Sequence, residues 1–187
     1  MQGYIAVFAL LALATCVAVR SRQLKRLGIK AVHFGEMDKK DFLIPPVVLF
    51  YVYLIIANAF HFPKVGELLA VGPVVPWVGA ALCLFAPAVF LWGIVSFGRS
   101  FRVGLDEDTP GALISSGAFA RTRNPLYVAF HMILCGVFLI FPTWIFFCYF
   151  VGGLWLIDRQ VCLEESSLLK TYGQEYADYC NKVRRYL

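Results

Sequence analysis

The residues best suited to chemistry lie in Gly98–Asn124, a loop of charged and small residues that leads into an apolar segment. Its end, Asn124-Pro125, is typical of a helix start, because Asn suits the N-cap and Pro the first turn. Such a start presents free N–H groups that attract an anion, for example a carboxylate. Arg123 adds a charge beside it, and Tyr127 shares the helical face of Asn124. The physical pattern alone favours a plain helix start, with Arg123 as an interfacial anchor only.

His131 continues the face of Tyr127, one helical turn further along the apolar segment. An ionisable side chain within such a segment is a functional candidate. A histidine that forms a hydrogen bond between two helices fits the same position. The sequence leaves its role open.

Glu164 and Glu165 form a second group, about one turn beyond the end of the last apolar run at Asp158-Arg159. Neighbouring residues on a helix point to different faces. We therefore expect one carboxylate to face solvent and the other to face a ligand. A solvated face without any ligand explains the pair as well.

Five apolar runs form the elements that must position these candidate residues. The runs are Gly3–Val19, Phe42–Phe60, Val74–Phe97, Leu126–Phe141 and Thr143–Ile157. A helix needs about 20 apolar residues to cross a bilayer core, and backbone groups in lipid must be bonded internally. The last two runs are separated only by Pro142, which predicts a short helical hairpin. We predict an all-α polytopic membrane protein with about five transmembrane helices, forming one domain over residues 1–187 with three spans in 1–97.

The composition supports this class, since 60% of the residues are hydrophobic and 16% are charged. Typical soluble domains are closer to half apolar and a quarter charged. No basic residue precedes Arg20, so we interpret the first run as a retained anchor and not a signal peptide. The six cysteines form no CxxC pair, and we expect no metal site and no disulfide framework.

The basic residues predict the orientation. Under a five-span topology, 16 of the 17 Lys and Arg residues share one face, and only Lys64 lies on the other. The positive-inside rule makes that face cytosolic. This distribution explains the net charge of +5 through membrane topology, so no nucleic-acid partner is expected. No Asp or Glu falls within the five runs, which argues against a transporter.

The C-terminal tail carries apolar and aromatic residues near helical spacing, namely Leu168, Tyr172, Tyr176, Tyr179 and Val183. This pattern predicts a cytosolic amphipathic helix that lies against the membrane surface or the helix bundle. Gly173 is expected to interrupt it.

Taken in order, these segments resemble the isoprenylcysteine carboxyl methyltransferase and phospholipid methyltransferase family. The matching elements, which extend over roughly Gly98–Leu187, are Leu113-Ile114, Gly117, Phe119, Arg123-Asn124-Pro125-Leu126-Tyr127, Glu164-Glu165, Leu169, Tyr172-Gly173, Tyr176 and Tyr179. The resemblance implies that residues 98–187 bind S-adenosylmethionine and carry the reaction at the cytosolic face of an integral membrane protein. It places against the cofactor Gly111, Ala112, Leu113, Ile114, Phe119, Asn124, Pro125, Leu126, Tyr127 and Glu164.

Two departures from the family pattern leave the acceptor open. The members that act on prenylated cysteine usually have His at the position of Asn124 and a substrate-side Arg at the position of Gln160. This chain has Arg159 one residue earlier. The expected acceptor is a lipophilic small molecule or lipid-anchored group, resembling an isoprenylcysteine carboxylate.

Methyl transfer from a sulfonium is an in-line displacement that depends mainly on alignment. Arg159 or Arg123 would orient a carboxylate acceptor by charge-assisted hydrogen bonds. An amine or thiol acceptor must also lose a proton, which His131 or Glu165 would take up.

Three alternatives remain beside this interpretation. The first is a phospholipid amine or small-thiol methyltransferase of the same family. The second is an enzyme similar to the sterol reductases, which share an Arg-x-Pro-x-Tyr region and use NADPH. The third is a membrane accessory protein without turnover.

Overall fold

The computed structural model describes residues 1–26, 44–62, 66, 69–97 and 112–186. Over these residues the chain forms six α-helices and one short 3₁₀ helix. In chain order they are α1 (Gln2–Arg26), α2 (Ile44–Ala59), α3 (Val75–Phe97), the 3₁₀ helix Gly117–Ala120, α4 (Pro125–Ile140), α5 (Trp144–Tyr172) and α6 (Gln174–Lys182). The predicted all-α class is confirmed.

Helix length decides how many spans the described residues contain. Three segments are long and apolar enough to cross a bilayer, namely Gln2–Gln23 within α1, α3 and α5. The α2 and α4 helices are apolar but have 16 residues each. At 1.5 Å per residue this is about 24 Å, short of a hydrocarbon core of roughly 30 Å. The predicted count of five spans is therefore not confirmed.

Small residues bring α3 and α4 close together. A Cβ atom added to Gly79 would lie 2.5 Å from the carbonyl oxygen of Gly136, and one added to Gly136 would lie 2.7 Å from Cys83 Sγ. Apolar helices pack most tightly where such residues let their backbones approach. Ala6 and Ala9 of α1 are fully buried in the same core. This packing fixes α4, whose first turn carries the candidate site.

The connection between α4 and α5 is the predicted helical hairpin. Only residues 141–143 separate the two helices. The Thr143 hydroxyl accepts a hydrogen bond from the Phe146 N–H at 3.3 Å and so caps α5. The Pro142 carbonyl accepts a hydrogen bond from the Leu69 N–H at 2.6 Å. The hairpin makes α4 and α5 antiparallel, so the start of α4 lies beside the later turns of α5.

Large apolar side chains cover the outer surface of the bundle. Trp155 is 69% exposed and Phe85 is 65% exposed. Soluble monomers rarely expose extended apolar surface of this kind, whereas lipid tails solvate it. These outer faces and the apolar helices identify an integral membrane protein.

The α5 helix continues well beyond Arg159 and ends only at Tyr172. Gly173 follows with a positive φ of 55°, a conformation that glycine adopts readily. The predicted interruption at Gly173 is confirmed, and the amphipathic tail is divided between the end of α5 and α6. Tyr176 and Tyr179 of α6 are buried, so this part of the tail packs against the bundle.

Candidate active site

Asn124 occupies the N-cap position of α4, as expected, but its side chain does not cap the helix. The Asn124 Nδ2 group donates instead to Glu165 Oε1 at 3.3 Å and to the Arg185 carbonyl at 3.2 Å. Asn124 therefore links the start of α4 both to α5 and to the segment that follows α6.

Glu165 stabilises this connection by pairing with two arginines. Its Oε1 atom lies 3.2 Å from Arg123 Nη2, and its Oε2 atom accepts hydrogen bonds from Arg185 Nη2 at 2.8 Å and Nε at 3.1 Å. The Glu165 side chain is only 13% exposed. The expectation that one of the two adjacent carboxylates faces solvent is therefore wrong, because α4 and the C-terminal segment cover Glu165 and Glu164 is half-buried.

Backbone carbonyls of residues 184 and 185 complete the junction. The Arg184 carbonyl accepts from the Arg123 N–H at 2.9 Å, and the Arg185 carbonyl accepts from the Thr122 hydroxyl at 3.0 Å. Thr122 is 2% exposed, so its hydroxyl needs this internal acceptor. We name residues 183–186 the C-terminal strap, since they fasten the start of α4 to α5.

Glu164 has different surroundings. Its Oε1 atom accepts a hydrogen bond of 2.6 Å from the Tyr127 hydroxyl and one of 3.2 Å from Gln160 Nε2. No Lys or Arg within the described ranges forms an ion pair with it. A shielded carboxylate is normally paired with a cation, so Glu164 is suited to a ligand that carries positive charge or several hydroxyl donors.

Deeper along α4, His131 lies against the C-terminal strap. The His131 and Tyr186 rings meet edge to face with their centroids 5.0 Å apart. The Tyr186 hydroxyl donates to Asp158 Oδ1 at 3.2 Å, and Arg185 Nη1 lies 3.7 Å from the same oxygen. The His131 Nε2 atom is buried and has no hydrogen-bond partner within the described part of the chain.

The segment before α4 packs between α3 and α6. The buried Phe119 ring lies edge to face on Phe97 with centroids 4.6 Å apart, and the Phe119 carbonyl accepts a 2.6 Å hydrogen bond from the Tyr179 hydroxyl. Gly111 lies outside the described residues. The other candidates in this segment are Ala112, which is exposed, and Leu113 and Ile114, which are half-buried.

Pro125 and Leu126 pack against α3. A Cβ atom added to Gly93 would lie 2.8 Å from Leu126 Cδ2 and 3.4 Å from Pro125 Cβ. Arg159 is half-buried on α5, next in sequence to Asp158 of the strap network. The structure thus joins Asn124, Tyr127, Glu164 and Arg123 in one polar junction, while Phe119, Pro125 and Leu126 pack beside it.

Outside the membrane-spanning segments, burial keeps the tail phenols protonated. Burial raises the pKa of Tyr179 to about 12. Burial and the hydrogen bond to Asp158 raise the pKa of Tyr186 to about 12. Hydrogen bonding to Glu165 raises the pKa of the Arg185 guanidinium above its usual value. These groups remain hydrogen-bond donors across the physiological pH range.

Four residues of the junction were not selected from the sequence, and they are Thr122, Gln160, Arg185 and Tyr186. Gln160 lies four residues before Glu164, and this helical spacing could have indicated their contact. The strap residues had no such signal, because their partners are about 20 to 60 positions away in sequence.

Comparison with known proteins places these elements in context. The chain is 24% identical to a protein-S-isoprenylcysteine O-methyltransferase of Tribolium castaneum over 188 residues. The match covers 97% of this chain and 63% of the relative, so the chain spans somewhat less than two thirds of that protein. The family model for phospholipid methyltransferases matches residues 74–175, more than half of the chain, including the start of α4 and the Glu164-Glu165 pair. The chain therefore belongs to the phospholipid methyltransferase family of membrane methyltransferases.

Proposed function

We propose that this protein transfers a methyl group from S-adenosylmethionine to a lipophilic acceptor at the membrane surface. Family membership supports the reaction type. The observation that carries the proposal is the 2.6 Å hydrogen bond that Tyr127 of α4 donates to Glu164 of α5. Both residues belong to the set that the family resemblance assigned to the cofactor.

Glu164 is the residue best suited to bind the cofactor. S-adenosylmethionine presents an ammonium group and ribose hydroxyls, and each complements a carboxylate that has hydrogen-bond donors but no cationic partner among the described residues. The start of α4 supplies the positive end of a helix dipole for the carboxylate of the ligand. The junction therefore fits the cofactor in charge, and residues 124–127 with Glu164 would hold it.

The protein residues act mainly by positioning. The bound cofactor supplies an activated methyl group on its sulfonium. Tyr127 and Gln160 fix the Glu164 carboxylate, while Arg123 and the C-terminal strap fix α4 against α5. Holding two reactants in line removes much of the entropic barrier. A rigid junction of two helices is suited to this task.

Arg159 is proposed to contact the head of the acceptor. It lies where the apolar part of α5 ends. Arg123 pairs with Glu165 and donates to the Cys180 carbonyl at 3.2 Å. A catalytic role for Arg123 stays a prediction. The relative's name suggests an isoprenylcysteine acceptor and the family description a phospholipid, and the small-thiol alternative remains within the same reaction class.

The proposed site faces the cytosol. This orientation follows from the 16 basic residues that a five-span topology places on one side, and it requires the two short helices α2 and α4 to span as well. A reporter fused after Leu187 should then lie in the cytosol, and one inserted beside Lys64 should lie outside. A cytosolic signal at Lys64 would contradict this topology.

The test of the cofactor site is titration of the purified protein with S-adenosylhomocysteine. Glu164→Gln and Tyr127→Phe should each weaken binding about ten- to a hundredfold, because a charge-assisted hydrogen bond contributes roughly 1.5–3 kcal/mol. Glu175→Gln is the matched control, since Glu175 is an exposed acid on α6. Unchanged binding in both site variants would refute the proposed cofactor site.

The same preparations separate cofactor binding from acceptor binding. Arg159→Ala should reduce methyl transfer to prenylated thiols, aminophospholipids or short thiols far more than it reduces S-adenosylhomocysteine affinity. Arg159→Lys should restore little if the contact is bidentate, because Lys lacks the planar fork of Arg. Equal losses of affinity and turnover would move Arg159 to the cofactor side.

A further inference from the structure

His131 presents a buried polar atom that the junction does not use. Its Nε2 atom has no partner among the described residues, although its ring faces the C-terminal strap. An unpaired buried polar group costs about 1–3 kcal/mol. A bound molecule that supplies the missing hydrogen bond would remove this cost, which makes the position a candidate subsite.

Tyr186 packs against His131. Its ring lies 5.0 Å from the His131 ring, and its hydroxyl reaches Asp158 Oδ1 at 3.2 Å. Asp158 is exposed, with a 55% accessible side chain, and Tyr186 is the last residue of the strap. The phenol ring therefore contacts the imidazole ring of α4, while its hydroxyl donates a hydrogen bond to a carboxylate of α5.

We propose that His131 and Asp158 form the subsite for the acceptor's head group, that Tyr186 covers it in the free protein, and that the head bears an N–H or S–H. This inference rests on the proposed methyl transfer. A neutral imidazole offers one acceptor nitrogen, and an ionised carboxylate only accepts. The subsite thus complements a hydrogen-bond donor. A carboxylate head has none to offer and would meet like charge.

Charge in the surrounding network favours the same kind of head. Asp158 and Glu165 form ion pairs with the guanidinium groups of Arg123 and Arg185, whereas Glu164 accepts hydrogen bonds from Tyr127 and Gln160. Among the described residues, the Glu164 carboxylate is therefore the one in this network without a guanidinium partner. An amine or thiol head adds no negative charge beside this carboxylate, whereas an anionic head would be opposed by it.

Methyl transfer to an N–H or S–H head releases one proton, which a protein group must accept. The nitrogen or sulfur of the head bonds to the methyl carbon as the bond from that carbon to the sulfonium breaks. The electron pair of the broken bond stays on the donor sulfur, which becomes a neutral thioether. The methylated head then loses its N–H or S–H proton to His131 Nε2. The Asp158 carboxylate stabilises the resulting imidazolium.

Chemical modification tests whether Tyr186 covers His131, and it requires no turnover. Diethyl pyrocarbonate carbethoxylates accessible histidines, and peptide mass mapping identifies the histidines that have reacted. His131 should react slowly in the parent and several-fold faster in Tyr186→Ala, because removing the ring opens Nε2 to the reagent. His61, exposed after α2, is the internal reference and should react equally in both. An unchanged His131 rate would overturn the cover.

The proton role is tested by turnover on amphiphiles with matched chains and amine, thiol or carboxylate heads. His131→Gln should lower transfer to the amine or thiol about a hundredfold or more, the range of general-base catalysis, with S-adenosylhomocysteine affinity unchanged. Imidazole added to His131→Ala should restore part of the rate, which a merely structural histidine would not show. The amine and thiol arms identify which donor the subsite prefers.

Three results would overturn the proposal: transfer only to the carboxylate, no transfer to any N–H or S–H head, or full activity of His131→Gln. Failure of the parent to bind S-adenosylhomocysteine would instead refute the proposed function on which the inference rests. The binding measurement therefore separates the two failures.

Discussion

Replacement of Glu165 by Ala is expected to destabilise the protein by about 3 kcal/mol, the lower end of the cost of breaking a buried ion pair. The change leaves the guanidinium of Arg123, 13% exposed, without its counter-charge. Arg185 loses the same partner but is 39% exposed, so solvent screens part of its loss. Asn124 also loses an acceptor. The lower end of the range applies because only one of the two arginines is well buried.

The measurement is thermal or denaturant unfolding in detergent, followed by helical circular dichroism. Glu175→Ala is the control, because it removes an exposed carboxylate from the first turn of α6 and should cost no more than about 1 kcal/mol. Glu165→Gln should fall between the two, since its amide oxygen still accepts from Asn124 while the charge is lost. Equal stability of Glu165→Ala and Glu175→Ala would contradict the anchoring role of Glu165.

The helices could be predicted from the sequence because each depends on a local pattern. Apolar runs marked helices α1 to α5, Pro142 marked the hairpin, and Gly173 marked the end of α5. The number of spans could not be settled in the same way. The described part of the predicted run Phe42–Phe60 forms a helix of 16 residues, Ile44–Ala59, and whether 16 residues cross a membrane depends on tilt and on neighbouring helices.

For the site, too, the sequence predicted the features that depend on local spacing but not the contacts between residues distant in sequence. Helical spacing predicted that Glu164 and Glu165 face different ways. It could not show which of them pairs with arginine, because both arginines come from distant positions in sequence. The family resemblance assigned Asn124, Tyr127 and Glu164 to one site, and the structure adds the contacts that join α4 to α5.

The C-terminal strap is the part of the junction that no local pattern indicated. Its contacts with α4 use backbone carbonyls, which every residue possesses, so residue type carries no information about them. Their significance lies in the donors they satisfy: the Arg123 N–H, the Thr122 hydroxyl and the Asn124 amide. The start of α4 is therefore held in place from outside the family-matched range, which ends at residue 175.

Deletion of residues 183–187 is expected to weaken S-adenosylhomocysteine binding about a hundredfold or more while the α1–α3–α4 core stays folded. The deletion removes the acceptors of three donors at the start of α4, and each unsatisfied buried group costs about 1–3 kcal/mol. Arg185→Ala is the matched comparison, because it keeps both carbonyls and removes only the guanidinium. Its loss of affinity should be clearly smaller than that of the deletion.

Hydrogen exchange locates the effect of the deletion. The amides of residues 121–128 should exchange faster after the deletion, because the Arg123 N–H loses its partner and the first turn of α4 loosens. Those of α3 around Gly79 should be unchanged, since their contacts with Gly136 lie far along α4 from its start. Faster exchange throughout α3 would indicate general unfolding. Unchanged exchange at residues 121–128 with full ligand affinity would show that the strap does not organise the site.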